Sequence, residues 1–171
     1  MPLIFDSDHY AHVVEEGILK AREFLWIATA NVKDLHVVTG KRAKPLLSFL
    51  SGLASEGVAI RILHASDPSG RFKRSFDRYQ NLIDGGVELQ PCVRIHSKIV
   101  IVDGTSAYMG SANLTGAGLG AKSPTRRNFE AGLFTRDPKE IKELMNYYDR
   151  IWMGEYCPGC ALRDVCEDPI R

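Results

Sequence analysis

Hydrophobic and polar positions alternate along the chain in two periods, one helical and one strand-like. Over residues 9–23, Val13, Ile18, Leu19 and Ala21 recur at helical spacing and predict an amphipathic helix. Residues 24–32 are apolar and rich in aromatic or β-branched side chains, which predicts a buried strand. Leu46, Leu47, Phe49, Leu50 and Leu53 mark a second helix over residues 42–56, with Gly57 as its stop. A strand over 58–65, a turn through Asp67-Pro68-Ser69-Gly70 and a basic helix over 72–83 follow. Strands are then predicted over 87–90, 93–102, 106–111 and 128–134, and Pro138 starts a last helix running to Trp152.

A βαβα start followed by a run of strands predicts an α/β fold, a mixed β-sheet sandwiched by helices. No repeat, low-complexity tract or linker divides it, so residues 1–153 read as one catalytic-sized domain and residues 154–171 as a cysteine-bearing tail. The 171 residues, 44% hydrophobic and 25% charged, are enough for one core that buries roughly two-thirds of the unfolded surface. Net charge is only +1, but the basic residues cluster at 41–44, at 71–78 and at Arg126-Arg127. Asp6 and Asp8 stand where a signal peptide would carry cations, and the apolar stretch 24–30 falls short of the roughly 20 residues of a membrane helix. The expectation is a soluble cytoplasmic protein with no membrane span, whose four cysteines are not a disulfide framework.

The segment Val93-Arg94-Ile95-His96-Ser97-Lys98-Ile99-Val100-Ile101-Val102-Asp103-Gly104 carries the chemistry. On one continuous strand His96 and Lys98 share a face, while Val93, Ile95, Ile99 and Ile101 turn to the core on the other. Asp103-Gly104 predicts a hairpin, and the returning strand brings Ser111 and Asn113 beside His96 and Lys98. An imidazole, an ammonium, a hydroxyl and a carboxamide on one patch can hold and attack a phosphate: His96 as nucleophile, Lys98 as charge clamp, Ser111 and Asn113 as donors to the non-bridging oxygens. An imidazole nucleophile needs a partner that fixes its tautomer, and Glu130 on the following strand is the candidate. Asp103, off the His96 face by parity, is expected to be structural or to orient the histidine.

The pattern His96-x-Lys98-x4-Asp103-x6-Gly110-Ser111-x-Asn113 resembles the full signature of the phospholipase D superfamily, and Asn128-x-Glu130 resembles the N-x-E element of its small members. The resemblance implies a phosphodiesterase with a phosphohistidine intermediate and a catalytic set of His96, Lys98, Asp103, Ser111, Asn113 and Glu130. None of His9, His12, His36 and His64 is followed by lysine two residues on, so the chain is similar to the single-motif group of Nuc-type endonucleases and Zucchini-type proteins. That likeness implies a homodimer with a shared active site and no metal for catalysis.

For substrate, the basic stretches and the trio Arg126, Arg127 and Asn128 favour nucleic acid. The alternatives are a cardiolipin-type phospholipid hydrolase and a non-catalytic nucleic-acid-binding module that uses the same phosphate pocket. In the tail, Cys157, Cys160 and Cys166 stand at C-x2-C-x5-C spacing with a Pro-Gly turn inside the first pair. This run resembles the iron–sulfur ligands of some RecB-type nucleases. A fourth ligand must come from elsewhere, and Cys92 is the remaining cysteine. A structural iron–sulfur cluster, a zinc site and unmetallated thiols are the three readings.

Overall fold

The structure is a computed structural model that describes residues 3–33, 35–39 and 42–169; Lys41 of the first basic run lies outside them. Seven strands form the main sheet: β1 (Leu3–Phe5), β2 (Phe24–Thr29), β5 (Ala59–His64), β6 (Glu88–Pro91), β7 (Lys98–Val102), β8 (Ser106–Gly110) and β9 (Ala131–Thr135). Their spatial order is β1-β9-β8-β7-β2-β5-β6. β2, β5 and β6 run parallel, and the remaining pairs are antiparallel. The expected mixed sheet with helices on both faces is what forms. Three α-helices, α1 (Leu46–Ser55), α2 (Gly70–Phe76) and α3 (Pro138–Trp152), and several single turns cover it. No helix among the described residues is long and apolar enough to cross a membrane.

Two hydrophobic clusters sandwich the sheet. Leu25, Ile27, Val100 and Val102 pack toward the N-terminal turns and α1. Ala28, Leu63, Ile99, Ile101 and Ala107 pack on the other face against Ile141, Tyr148 and Trp152 of α3. All five residues of β7 are buried. This corrects the expectation of one core face and one chemical face along residues 93–102. A strand covered on both sides has no solvent face for chemistry, and its near-continuous apolar run is the mark of that position.

α3 matches its predicted span. The Asp137 carboxylate accepts from the N–H groups of Lys139 (2.8 Å) and Glu140 (3.4 Å), and Pro138 fills the first turn. Tyr148 lies fully buried between Trp26 and Trp152, with ring centroids at 5.2 and 5.9 Å. The Arg61 guanidinium covers both indoles and pairs with Glu88 at 3.2 Å.

Elsewhere the elements are shorter than their periodicity predicts. The helix expected over 9–23 becomes a π-helical turn (Tyr10–Glu15) and a 3-10 turn (Ile18–Lys20). The chain folds so tightly at Gly17 that a Cβ there would meet the carbonyls of Val13 and His12. The helix expected from residue 42 starts at Leu46, because β4 (Arg42–Pro45) pairs with β3 (His36–Thr39) in a separate hairpin. The basic helix over 72–83 stops at Phe76, and a second turn runs from Leu82 to Gly86. The strands expected from residues 93 and 128 begin only at Lys98 and Ala131.

Two buried histidines, His9 and His64, have their pKa lowered from the ordinary 6.5, chiefly by desolvation. Below that value the unfolded chain binds protons that the folded one resists, so these histidines contribute stability above it that is lost as pH falls. The thermal midpoint should therefore drop between about pH 7 and pH 5.5, and the drop should flatten in a His9→Gln, His64→Gln double variant. An equal drop in that variant would move the cause to other groups.

Candidate active site

Pairing registers collect the chemistry at one end of the sheet. Lys98, the first residue of β7, lies opposite Gly110, the last of β8, and Gly110 lies opposite Gly132 near the start of β9. His96 and Ser97 therefore precede β7 at the same end where Ser111 follows β8 and Glu130 precedes β9. A tyrosine explains the glycines: Tyr108 lies across this end, and its hydroxyl accepts from the Ala112 N–H at 3.0 Å. A Cβ on Gly110 or Gly132 would collide with that side chain.

Asn113 joins from the loop beyond β8. Its Oδ1 accepts from the N–H groups of Ala30 (3.1 Å) and Asn31 (3.3 Å) and from the Thr29 hydroxyl (3.3 Å), all at the C-terminal end of β2. The two backbone donors fix the orientation of the carboxamide, the single Thr29 proton being nearer the Asn31 carbonyl (2.9 Å), and leave the Nδ2 hydrogens to face a ligand. The Thr29 hydroxyl accepts from the Leu114 N–H at 3.0 Å, which ties the loop a second time.

Glu130 is held just as firmly. One carboxylate oxygen accepts from the Ser111 hydroxyl and the other from Asn128 Nδ2 at 3.0 Å. Its backbone exchanges hydrogen bonds with Asp6, N–H to carboxylate and carbonyl to N–H, each at 3.0 Å. Asp6 sits at φ +44°, a strained setting for a non-glycine residue that keeps its carboxylate on this strand entrance. Asp6, Thr29, Asn31 and Tyr108 are the supporting residues that the sequence reading missed. They act through contacts made by residues far apart in the chain, for which no local pattern exists.

Lys98 is 6% exposed, and its ammonium donates to the His96 carbonyl at 2.5 Å. Desolvation lowers its pKa, opposed by the negative charge of Glu130. His96 itself is exposed. Among the described residues its imidazole makes no hydrogen bond, so the bond expected between Glu130 and His96 is not made within this chain. An accessible imidazole, a nearly buried cation, a fixed amide and a pinned carboxylate thus lie at one end of the sheet.

Asp103 lies elsewhere. It follows the far end of β7, at least about 16 Å of strand away from Lys98. Its carboxylate accepts from the N–H groups of Arg22 (2.9 Å), Glu23 (2.8 Å) and Phe24 (2.9 Å), and its φ is +53°. The carboxylate locks the β7–β8 hairpin to the entrance of β2 and does not reach His96, so its grouping with the catalytic residues is corrected. Arg126, Arg127 and Asn128 line the loop before β9, and Phe129 beside them is 96% exposed. Cys92, Cys157, Cys160 and Cys166 all line one cavity of about 250 Å3. Among the described residues no three His, Cys, Asp or Glu side chains are gathered closely enough to hold a metal ion.

Residues 14–152 match the family described as cardiolipin synthase, PLD-like domain. Cardiolipin synthase 2 of Bacillus cereus is 32% identical over 139 residues, 78% of this chain and 24% of the relative. Cardiolipin synthase of Halalkalibacterium halodurans is 30% identical over 105 residues, 59% of this chain and 20% of the relative. The chain spans about a quarter or less of the length of these relatives. Among solved structures, NucT from Helicobacter pylori superposes with a TM-score of 0.62 at 17% identity, covering 87% of this chain and 92% of that one. Nuc from Salmonella typhimurium, a phospholipase D family member, superposes with a TM-score of 0.58 at 17% identity, covering 88% and 92%. At that identity the structural likeness carries the fold alone.

The placement of Asp103 has a measurable consequence. Asp103→Ala should cost on the order of 2 kcal/mol of stability, because three backbone donors lose a charged acceptor. The remaining folded protein should keep turnover within a few-fold of wild type. Turnover reduced by orders of magnitude in fully folded Asp103→Ala would return the carboxylate to the chemistry.

Proposed function

Because the chain belongs to the phospholipase D superfamily, within the cardiolipin synthase PLD-like domain family, we propose that it cleaves phosphodiesters through a covalent phosphohistidine on His96. The observation that carries this reading is the set of groups at the end of the sheet: an exposed imidazole beside a desolvated ammonium and an amide whose acceptor oxygen is already occupied. A neutral His96 ring nitrogen attacks phosphorus, and Lys98 and Asn113 Nδ2 hold the non-bridging oxygens as charge builds on them. The bond to the leaving oxygen breaks as that oxygen takes a proton from an imidazolium on the opposite side. Water then attacks the phosphohistidine, gives its proton to the second imidazole and releases His96. Glu130, its carboxylate bound by Ser111 and Asn128, acts in this reading through its charge on Lys98.

One imidazole cannot be neutral nucleophile and protonated acid at once. In this reading a second copy of the chain supplies the second His96, and the two sites face each other. Exposed apolar side chains on the β1–β9–β8 side of the sheet, Leu3, Phe5 and Met109, support a surface that another copy covers.

For substrate we propose nucleic acid. Arg126 and Arg127 offer cations to flanking phosphates, Asn128 a polar contact, and the exposed Phe129 ring a stacking platform for a base. The family description and the named relatives favour a second reading, a phospholipid diester of the cardiolipin type, with Phe129 then entering the lipid.

Purified protein should be incubated with single-stranded DNA, duplex DNA, RNA and cardiolipin vesicles, with chelator present throughout. Cleavage of a nucleic acid is expected, with a loss on the order of 10^3-fold or more in His96→Ala. Cleavage of cardiolipin alone would select the second reading, and tight binding without turnover a binding module. The rate should follow a bell-shaped pH profile, as a coupled imidazole pair requires. A fully active monomer in sedimentation would remove the shared site.

A further inference from the structure

The four cysteines line one cavity that the phosphodiester reading does not use. Cys92 sits just after β6, where its N–H donates to the His64 carbonyl at 2.8 Å and its carbonyl accepts from Ile95 at 2.9 Å. It therefore belongs to the tight turn that leads into His96. The other three come from the tail, 65 or more residues later in the chain. α3 brings them back: Gln90 of β6 donates to the Trp152 carbonyl at 3.1 Å, and Gly154, at φ +72°, ends the helix and turns the chain. Beyond it the tail winds as successive turns, with Cys157 donating to Gly154, Cys160 to Cys157 and Cys166 to Arg163. All four cysteines then line the same cavity of about 250 Å3, together with Val93, Arg94 and Ile95.

Few contacts hold the tail in this shape: Arg150 pairs with Glu155 at 2.7 Å, and Arg163 donates to the Cys157 carbonyl at 3.1 Å. Among its described residues, one 3-10 turn (Arg163–Val165) is the regular structure. Met153, Tyr156, Leu162 and Val165 are exposed, and none of its residues joins either hydrophobic cluster. A segment that buries so little apolar surface needs a staple to offset the entropy of ordering it. Cysteines at C-x2-C spacing on a Pro-Gly turn, with a third after a short helical turn and a fourth across the cavity, provide one. Their half-buried setting and free state supply four sulfur donors of one kind.

We propose that Cys92, Cys157, Cys160 and Cys166 bind a structural metal centre, an iron–sulfur cluster, that fastens the tail to the turn bearing His96. A single zinc ion holds its sulfurs at about 2.3 Å and so draws all four into close contact. These thiols line a cavity of about 250 Å3, far larger than one ion fills, which suits a polynuclear cluster that spreads its ligands. Each thiol gives up its proton on ligation, so the four thiolates complete a closed site with no position for substrate. The proposal does not rest on the catalytic reading and survives its failure.

The test starts with the unaltered protein, purified without air. Iron and acid-labile sulfide should be present at several atoms per chain, with visible absorption that bleaches on reduction. Cys92→Ser and Cys157→Ser should each lose that iron, and removing the iron from wild-type protein should expose the Arg163 bond to trypsin while residues 3–152 stay resistant. Stoichiometric zinc without sulfide would keep the four-thiol site but overturn the cluster. Metal-free wild-type protein, or Cys92→Ser that folds and retains all its metal, would overturn the shared site. Because these readouts need no substrate, they are independent of any result with nucleic acid or lipid.

Discussion

The antiparallel pairing of β7 with β2, both buried on their two faces, is the constraint on which the rest of the structure depends. Ile27 opposes Val100 and Leu25 opposes Val102, so neither strand can slip without moving apolar side chains out of both cores at once. That register places Lys98 at one end of the sheet and Asp103 at the other. Asp103 secures the far end by collecting three backbone N–H groups where β2 begins. Ser111, Asn113 and Glu130 then meet at the near end because β8 and β9 extend the same register.

A sheet covered on both faces leaves its strand ends as the place for polar chemistry. The site uses that placement by tying each functional group to backbone or to a charged neighbour. Asn113 Oδ1 is spent on backbone donors, Glu130 on Ser111 and Asn128, and the Lys98 ammonium on the His96 carbonyl. Such ties set the orientation of these groups before a ligand arrives, which is what electrostatic stabilisation of a phosphorane-like charge needs. Among the described residues the imidazole of His96 makes no hydrogen bond. The two ends of the strand therefore divide the motif between them: its histidine and lysine lie at one end of the sheet, and its aspartate ties the other end to the entrance of β2.

The same end of the molecule also receives the cysteine tail. The turn from Cys92 to Ile95 is shared between the thiol cavity and the approach to His96. Whatever holds the tail there also restrains the backbone turn that leads into His96.

The sequence by itself determined the α/β class and the span of α3. Binary pattern, an Asp-Pro start and motif spacing are local, and local chemistry specifies them. Hairpin length also placed Ser111 at the end of the sheet where Lys98 begins β7, whereas Glu130 reaches that end only through the pairing of β8 with β9. The sequence did not determine where β7 begins, because the run from Val93 to Val102 is apolar throughout and only burial on both faces separates turn from strand. Nor did it reveal the strained Asp6 or the three backbone groups that claim Asp103, since these depend on partners 79 to 124 residues apart. Tertiary structure alone decided that Cys92 shares a cavity with the tail, because only the packing of α3 against the sheet returns the chain to it.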